Sequence, residues 1–360
     1  MSGAPFFGVR PAGWIGEDPV AQARDILEWA VKAEELGFDV LFVGDRLLAE
    51  AHSKEGMAVY DAAMLDPFVM LTAVGARTTR LRLAPLVAVV PFRHPASLAK
   101  ITASLDIVTG GRLILGAGSG WSHPELQMFG VDRRRRGAQM EEGLRFLKRL
   151  WAGETVTEHG EFWDLDEVRV TPQPAQRPGP PIWLGSFVPD DAVTWAGSIG
   201  GAQARALARI GRIADGWVPL TYSAGHKRQL DSGQLSQGWQ MIAEAASESG
   251  REPESIEIIF AHWIAIVRNA AERRACEAGL ALFFPGSYEE ACATYLIGSP
   301  DEIAERIWTQ TEGLERIDGY LFTPINDDEA QLAVIAGELR PKLAESRPST
   351  QPQRSAHVHR

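Results

Sequence analysis

Apolar and polar positions along this chain follow two periods that trade places from one end to the other. Short, nearly unbroken apolar runs of strand type occur at residues 6–9, 40–43, 81–90, 112–115, 181–185, 216–220, 256–267 and 319–322. Between them apolar residues recur at helical spacing. Ala23, Ile26, Leu27, Ala30 and Ala33 form one such face before a stop at Gly37, and Met140, Leu144, Leu147 and Trp151 form another on a helix from Gly137. Helix starts are written at Asp18-Pro19, Asp66-Pro67 and Ser299-Pro300-Asp301-Glu302, where a capping side chain precedes a proline of the first turn. Pro95 opens a further helix to Val108, residues 202–213 and 238–249 read as two more, and a last one ends near Leu343. Residues 161–170 alternate like a small hairpin, and the proline-rich stretch 173–181 reads as a connector. Buried-type strands alternating with helices imply parallel strands joined by helical crossovers. Eight strand candidates favour a closed (β/α)8 TIM barrel, with insertions between strands, over an open doubly wound sheet. Residues 1–345 are expected to form this one domain. Residues 346–360 lack an apolar anchor and are expected to be a disordered tail, with His357 and His359 solvated.

Composition narrows the function. The chain has 360 residues, 45% hydrophobic and 23% charged, with a formal net charge of −11. That balance argues against a nucleic-acid or anionic-membrane partner. No apolar run approaches the ~18 residues of a membrane helix. No charged leader precedes an apolar stretch, so no signal peptide is expected. Cys276 and Cys292 are the only cysteines, which points to no disulfide framework and fits a reducing cytoplasm. The basic run Arg133 to Arg136 reads as a solvated patch leading a helix, or as a contact to anionic groups.

In a barrel of this kind the chemistry belongs where strands run out into helices. Those segments are residues 44–56, 86–94, 116–124, 185–202 and 219–225. Asp45 and Arg46 there either orient a cofactor or anion, or form a surface ion pair. His52 is an acid–base candidate or a solvated loop residue, and His94, beside Arg93, reads as a brace for a turn. The run T-G-G-R-L-I-L-G-A-G-S-G-W, Thr109 to Trp121, alternates Gly116, Gly118 and Gly120 before an aromatic ring. Such a strand end suits a backbone passing close to a flat ligand, or else a tight turn with a core tryptophan. It is not the dinucleotide fingerprint, because the position three after Gly118 is Trp121. His123, just after the glycines, is the first histidine to expect in catalysis or substrate binding. There is no H-E-x-x-H, no G-x-S-x-G and no phosphate loop. A mouth rich in glycine and aromatics but poor in ionisable groups suggests that a cofactor carries the hard chemistry.

G-G-R-L-I-L-G-A-G-S-G-W resembles the fourth-strand signature of luciferase-like monooxygenases. Other stretches match that family in order: A-E-E-L-G-F-D-V-L-F-V-G-D (33–45), T-T-R-L-R-L-A-P-L-V-A-V-V-P-F-R-H-P (78–95), R-R-G-A-Q-M-E-E-G-L-R-F-L-K-R-L-W (135–151), P-P-I-W-L-G-S (180–186) and I-A-D-G-W-V-P (213–219). The resemblance implies a barrel, usually dimeric, that carries FMN or coenzyme F420 across its C-terminal mouth. It implies ring contacts with Asp45, Arg46, Leu86, Val87 and Val89, and with Gly118, Gly120 and Trp121. It implies a non-proline cis peptide at Leu86–Val87. It places the phosphate at Gly200, Gly201 and Ala202, at the start of the helix after strand five, with Gly185-Ser186 as the other turn. Catalytic roles fall to His123, Arg46 and Asp45. F420-using relatives often carry histidine where this chain has Arg46, and residues 187–199 read as an insertion that walls the substrate pocket. The expected function is that of a flavin-dependent oxidoreductase or monooxygenase acting on a small organic substrate through reduced FMN or F420. A separate reductase would supply the reduced cofactor. An F420-dependent dehydrogenase without O2 and a non-catalytic flavin-binding barrel are the alternatives. A metal-dependent hydrolase fits less well, since the strand tips lack a His/Asp ligand set.

Overall fold

A computed structural model describes residues 4–11, 18–48, 64–186, 201–223, 228–284, 286–326 and 329–345. Eight strands lie parallel: β1 Phe6–Val9, β2 Val40–Val43, β3 Arg82–Pro85, β4 Leu115–Gly118, β5 Ile182–Ser186, β6 Gly216–Pro219, β7 Glu257–Ile266 and β8 Gly319–Pro324. Their neighbours run β3-β2-β1-β8-β7-β6-β5-β4. The ring closes between its ends. Leu83 bridges Leu113, and Ala88–Val89, just beyond β3, pairs with Ala117 and Gly118 of β4. This is the expected (β/α)8 barrel.

The helices that cover it are α1 Pro19–Glu35, α2 Pro67–Arg77, α3 Pro95–Val108, α4 Arg136–Trp151, α5 Gly201–Ile213, α6 Ser232–Glu248, α7 Pro300–Gln310 and α8 Glu329–Val334. Their starts follow the sequence signals. Asp18 accepts from the Val20 and Ala21 N–H groups, Asp66 from those of Phe68 and Val69, and Ser299 with Glu302 forms a reciprocal capping box.

The two-residue period of each strand sorts its side chains into two cores. Val40, Phe42, Ile259 and Leu321 fill the barrel interior with Trp183 and Ile114. Leu41, Phe260 and Phe322 face outward into the layer beneath the helices.

Four features differ from the sequence reading. The apolar run 81–90 is not one strand: β3 ends at Pro85, and Val90–Phe92 is a 3-10 turn. The fourth strand lies further along than the apolar run 112–115 and takes in Gly116 and Gly118. Between β7 and α7 the chain inserts helices Ala270–Leu280 and Tyr288–Thr294 and a strand Leu296–Gly298, which pairs with the end of β7. A small hairpin is present but starts earlier than the expected 161–170, as Val156–His159 against Asp164–Val168.

Candidate functional site

The C-terminal ends of β2, β3 and β4 meet at one side of the mouth. From the β2 tip, Asp45 accepts the Val89 N–H at 2.9 Å and takes both arms of Arg93, at 2.5 and 3.1 Å. Arg93 also lies 3.5 Å from Asp66 and 5.2 Å over the Phe68 ring. Burial alone would lower the Arg93 pKa, but hydrogen bonds to and charge from Asp45 and Asp66 reverse this and raise it. The carboxylate that the sequence places beside Arg46 thus holds the β3 tip, and Arg46 lies against a different carboxylate. The Leu86–Val87 peptide is cis, as the resemblance implies.

The alternating glycines of β4 have a physical reason that differs from the sequence reading. A Cβ at Gly116 would stand 2.2 Å from the Pro85 carbonyl oxygen. One at Gly118 would stand 2.4 Å from Val87 Cγ2, and one at Gly120, whose φ is +79°, 2.9 Å from Val89 Cγ1. Each glycine therefore receives one step of the β3 tip. The close approach they permit is that of the chain's own β3 tip, the Pro85 carbonyl at Gly116 and the Val87 and Val89 side chains at Gly118 and Gly120, with Leu86 and Val87 half-buried there. Gly185, at the end of β5, adjoins the same floor: a Cβ there would be 3.1 Å from Val87 Cγ1.

Trp121 is 55% exposed, so it is not the core tryptophan of the alternative reading. The Arg46 guanidinium lies 4.8 Å over its ring. His123 is exposed at the first position of the short helix His123–Met128. Glu125 of that helix was not singled out by the sequence. It is buried, and its Oε1 accepts the Leu47 and Leu48 N–H groups at 2.9 Å each and sits 3.6 Å from Arg46 Nε. Its signal was Ser122-x-x-Glu125, a helix-start spacing, since the Ser122 hydroxyl accepts the Glu125 N–H.

The structure brings together Asp45, Arg46, Leu86, Val87, Val89, Gly118, Gly120 and Trp121. Gly201 and Ala202 open α5 and are exposed. The first N–H groups of a helix have no intrahelical acceptor and favour an anion. Gly200, the insertion 187–199, His52, His357 and His359 lie outside the described residues. His94 is a brace: its Nδ1 accepts the Ala96 N–H at 3.2 Å and caps α3. In the basic run, Arg133 and Arg134 are exposed, Arg135 pairs with Glu161, and Arg136 Nε donates to the Gly120 carbonyl at 2.9 Å. Among the described residues no three His, Cys, Asp or Glu side chains gather as a metal set, and no helix is long and apolar enough to cross a membrane.

A family model described as luciferase-like monooxygenase matches residues 4–284. An F420-dependent glucose-6-phosphate dehydrogenase of Nakamurella multipartita is 28% identical over 340 residues, covering 89% of this chain and 92% of that protein. A 4-hydroxyprotoasukamycin monooxygenase of Streptomyces nodosus subsp. asukaensis is 27% identical over 238 residues, 66% of this chain but only 57% of that protein. Among solved structures, an F420-dependent secondary alcohol dehydrogenase in complex with an F420-acetone adduct superposes with a TM-score of 0.72 at 16% identity, covering 94% of this chain and 99% of that one. The oxygenating constituent of 3,6-diketocamphane monooxygenase from Pseudomonas putida, in complex with FMN, gives 0.71 at 17% identity, covering 94% and 99%.

Proposed function

Because the chain belongs to the luciferase-like monooxygenase family, we propose that it is an oxidoreductase that binds reduced FMN or F420 at the C-terminal mouth of its barrel and acts on a small organic substrate. The observation that carries this reading is the β3 tip, interlocked with the β4 glycines so that Leu86 and Val87 form a half-exposed apolar floor. Such a floor suits one face of a flat ring, and the helix start at Gly201 and Ala202 suits its phosphate. When bound, the cofactor supplies hydride transfer or, in the flavin case, reaction with O2.

The chain's own residues bind and orient. Asp45, through Val89 and Arg93, holds the floor in place. Arg46 brings a cation to the mouth, with Trp121 stacked on it. His123, exposed at the rim, is the group placed to give or take a proton. Hydride transfer without O2 is a second reading, favoured by the F420-dependent relative that matches over 92% of its length. The family reading also carries a cytoplasmic homodimer and a separate reductase.

Titration of the purified protein with FMN and with F420, followed by fluorescence quenching, tests the proposal. FMN binding with oxygen-dependent turnover supports the monooxygenase reading. F420 binding with turnover indifferent to oxygen supports the dehydrogenase reading. Binding of neither overturns both. Gly201→Asp puts charge and bulk at the phosphate turn and should abolish binding; unchanged affinity would move that turn elsewhere.

A further inference from the structure

We infer that Glu125 is a positioning residue of this mouth, one that fixes Arg46 against Trp121 and fastens the β2 tip to the β4 tip. The inference rests on the cofactor reading of the mouth. Three groups converge on one carboxylate oxygen: the Leu47 N–H, the Leu48 N–H and Arg46 Nε, at 2.9, 2.9 and 3.6 Å. Arg46 Nε also donates to the Leu48 carbonyl at 2.9 Å, so that the guanidinium, its own loop and Glu125 close a ring of contacts. Both side chains are buried, at 6% and 5% exposure. A charge taken out of water this far needs a partner and hydrogen bonds to be tolerated.

The residues joined are 77 and 78 positions apart in sequence. They belong to the loop after β2 and to the short helix after β4, on either side of the Leu86–Val87 floor. The Trp121 ring, 4.8 Å from the guanidinium, is 55% exposed and is the outer face of this assembly. Glu125 therefore acts on the mouth through Arg46 and Trp121.

The test is a double-mutant cycle of Glu125→Gln and Arg46→Met, read by affinity for whichever of FMN or F420 binds the wild-type protein. Glutamine keeps an acceptor oxygen for the two N–H groups and removes the charge. Each single variant should weaken binding about tenfold, and the double variant about tenfold rather than a hundredfold, because the two side chains act as one unit. Multiplicative losses, or a glutamine variant that binds like wild type, overturn the inference and leave the function standing.

A second readout needs no cofactor. The difference in emission between each protein and its Trp121→Phe counterpart isolates Trp121 from the other tryptophans. That difference should shift in Glu125→Gln and Arg46→Met alike. An unshifted spectrum in either variant overturns the inference even if the wild type binds neither cofactor, a result that would by itself sink the proposed function. Circular dichroism confirms that each variant is folded. If Glu125→Gln is not, Glu125→Asp replaces it, and its shorter carboxylate should lose contact with Arg46 and give the same two outcomes.

Discussion

The β2–β4 side of the mouth and the outer face of β7 bury titratable groups in opposite ways. At the mouth Asp45, Arg93, Arg46 and Glu125 enter the protein as charges, and each carboxylate also takes backbone N–H groups from a neighbouring loop. Behind β7, His262 is 3% exposed and packs among Tyr222, Phe260 and Tyr295. Its Nδ1–H donates to the Trp263 carbonyl at 2.9 Å, while Nε2 is buried with no partner among the described residues. Burial, helped by the charge of Arg306 and opposed by that carbonyl, brings its pKa down to about 3. Neutral aromatic packing fills space without specifying a backbone position to the level of one N–H. Charge pairs do specify it, at a desolvation cost that makes sense where loop geometry must be exact enough to shape a ligand surface.

If the mouth is built by backbone interlock, one methyl group should break it. Gly116→Ala sets a Cβ 2.2 Å from the Pro85 carbonyl and 3.3 Å from Leu86 Cα, so β4 must move away from the β3 tip. The expected loss is about 3 kcal/mol or more, toward the upper end for overpacking. Gly337→Ala, with nothing within 4 Å, is the control and should be neutral or slightly stabilising. Urea midpoints of the two variants decide it, and equal midpoints would show that the interlock yields freely.

Asp45→Ala sharpens the comparison from the electrostatic side. It leaves Arg93 without its bidentate partner and the Val89 N–H without its acceptor. Breaking a fully buried pair costs about 3–5 kcal/mol, and the 19% exposure of the Arg93 side chain brings the expectation down to about 2–3 kcal/mol. Cofactor affinity should fall with it. A loss below about 0.5 kcal/mol, the scale of an exposed pair, would mean that Asp45 is free for chemistry and not committed to the floor.

Much of the barrel was legible because its signals are local. Asp18, Asp66 and Ser299 cap the helices that their sequence neighbours announce. The excursion after β7 carried the same kind of signal, with Asn269 and Ser287 capping its helices, but it interrupts the strand–helix alternation on which the reading depended. The site was legible only as a set of strand tips. Which carboxylate meets which guanidinium depends on contacts 48 and 79 residues apart, and adjacency in sequence misled: Asp45 turns to Arg93, and Arg46 to Glu125. The glycines were visible, but nothing local says that the bodies filling their space are the Pro85 carbonyl and the Val87 and Val89 side chains.

The β7 side offers the smallest effect and the one tied most directly to acidity. A histidine held near a pKa of about 3, against 6.5 in the unfolded chain, takes up a proton on unfolding. Its contribution to stability is therefore complete above pH 6.5 and is lost as pH falls from there toward 3. At pH 5 that loss is about 2 kcal/mol, at 1.36 kcal/mol per pKa unit. His262→Leu pays a constant cost for the lost bond to Trp263 but carries no such proton. The unfolding free energy of the wild type minus that of the variant should thus fall by about 2 kcal/mol between pH 7.5 and pH 5. A gap that stays constant would mean that His262 is charged or hydrated in the folded state, and the contrast between a charged mouth and a neutral β7 face would fall. A fall of the expected size ties that share of the acid sensitivity to the outer face of β7, where His262 is buried neutral.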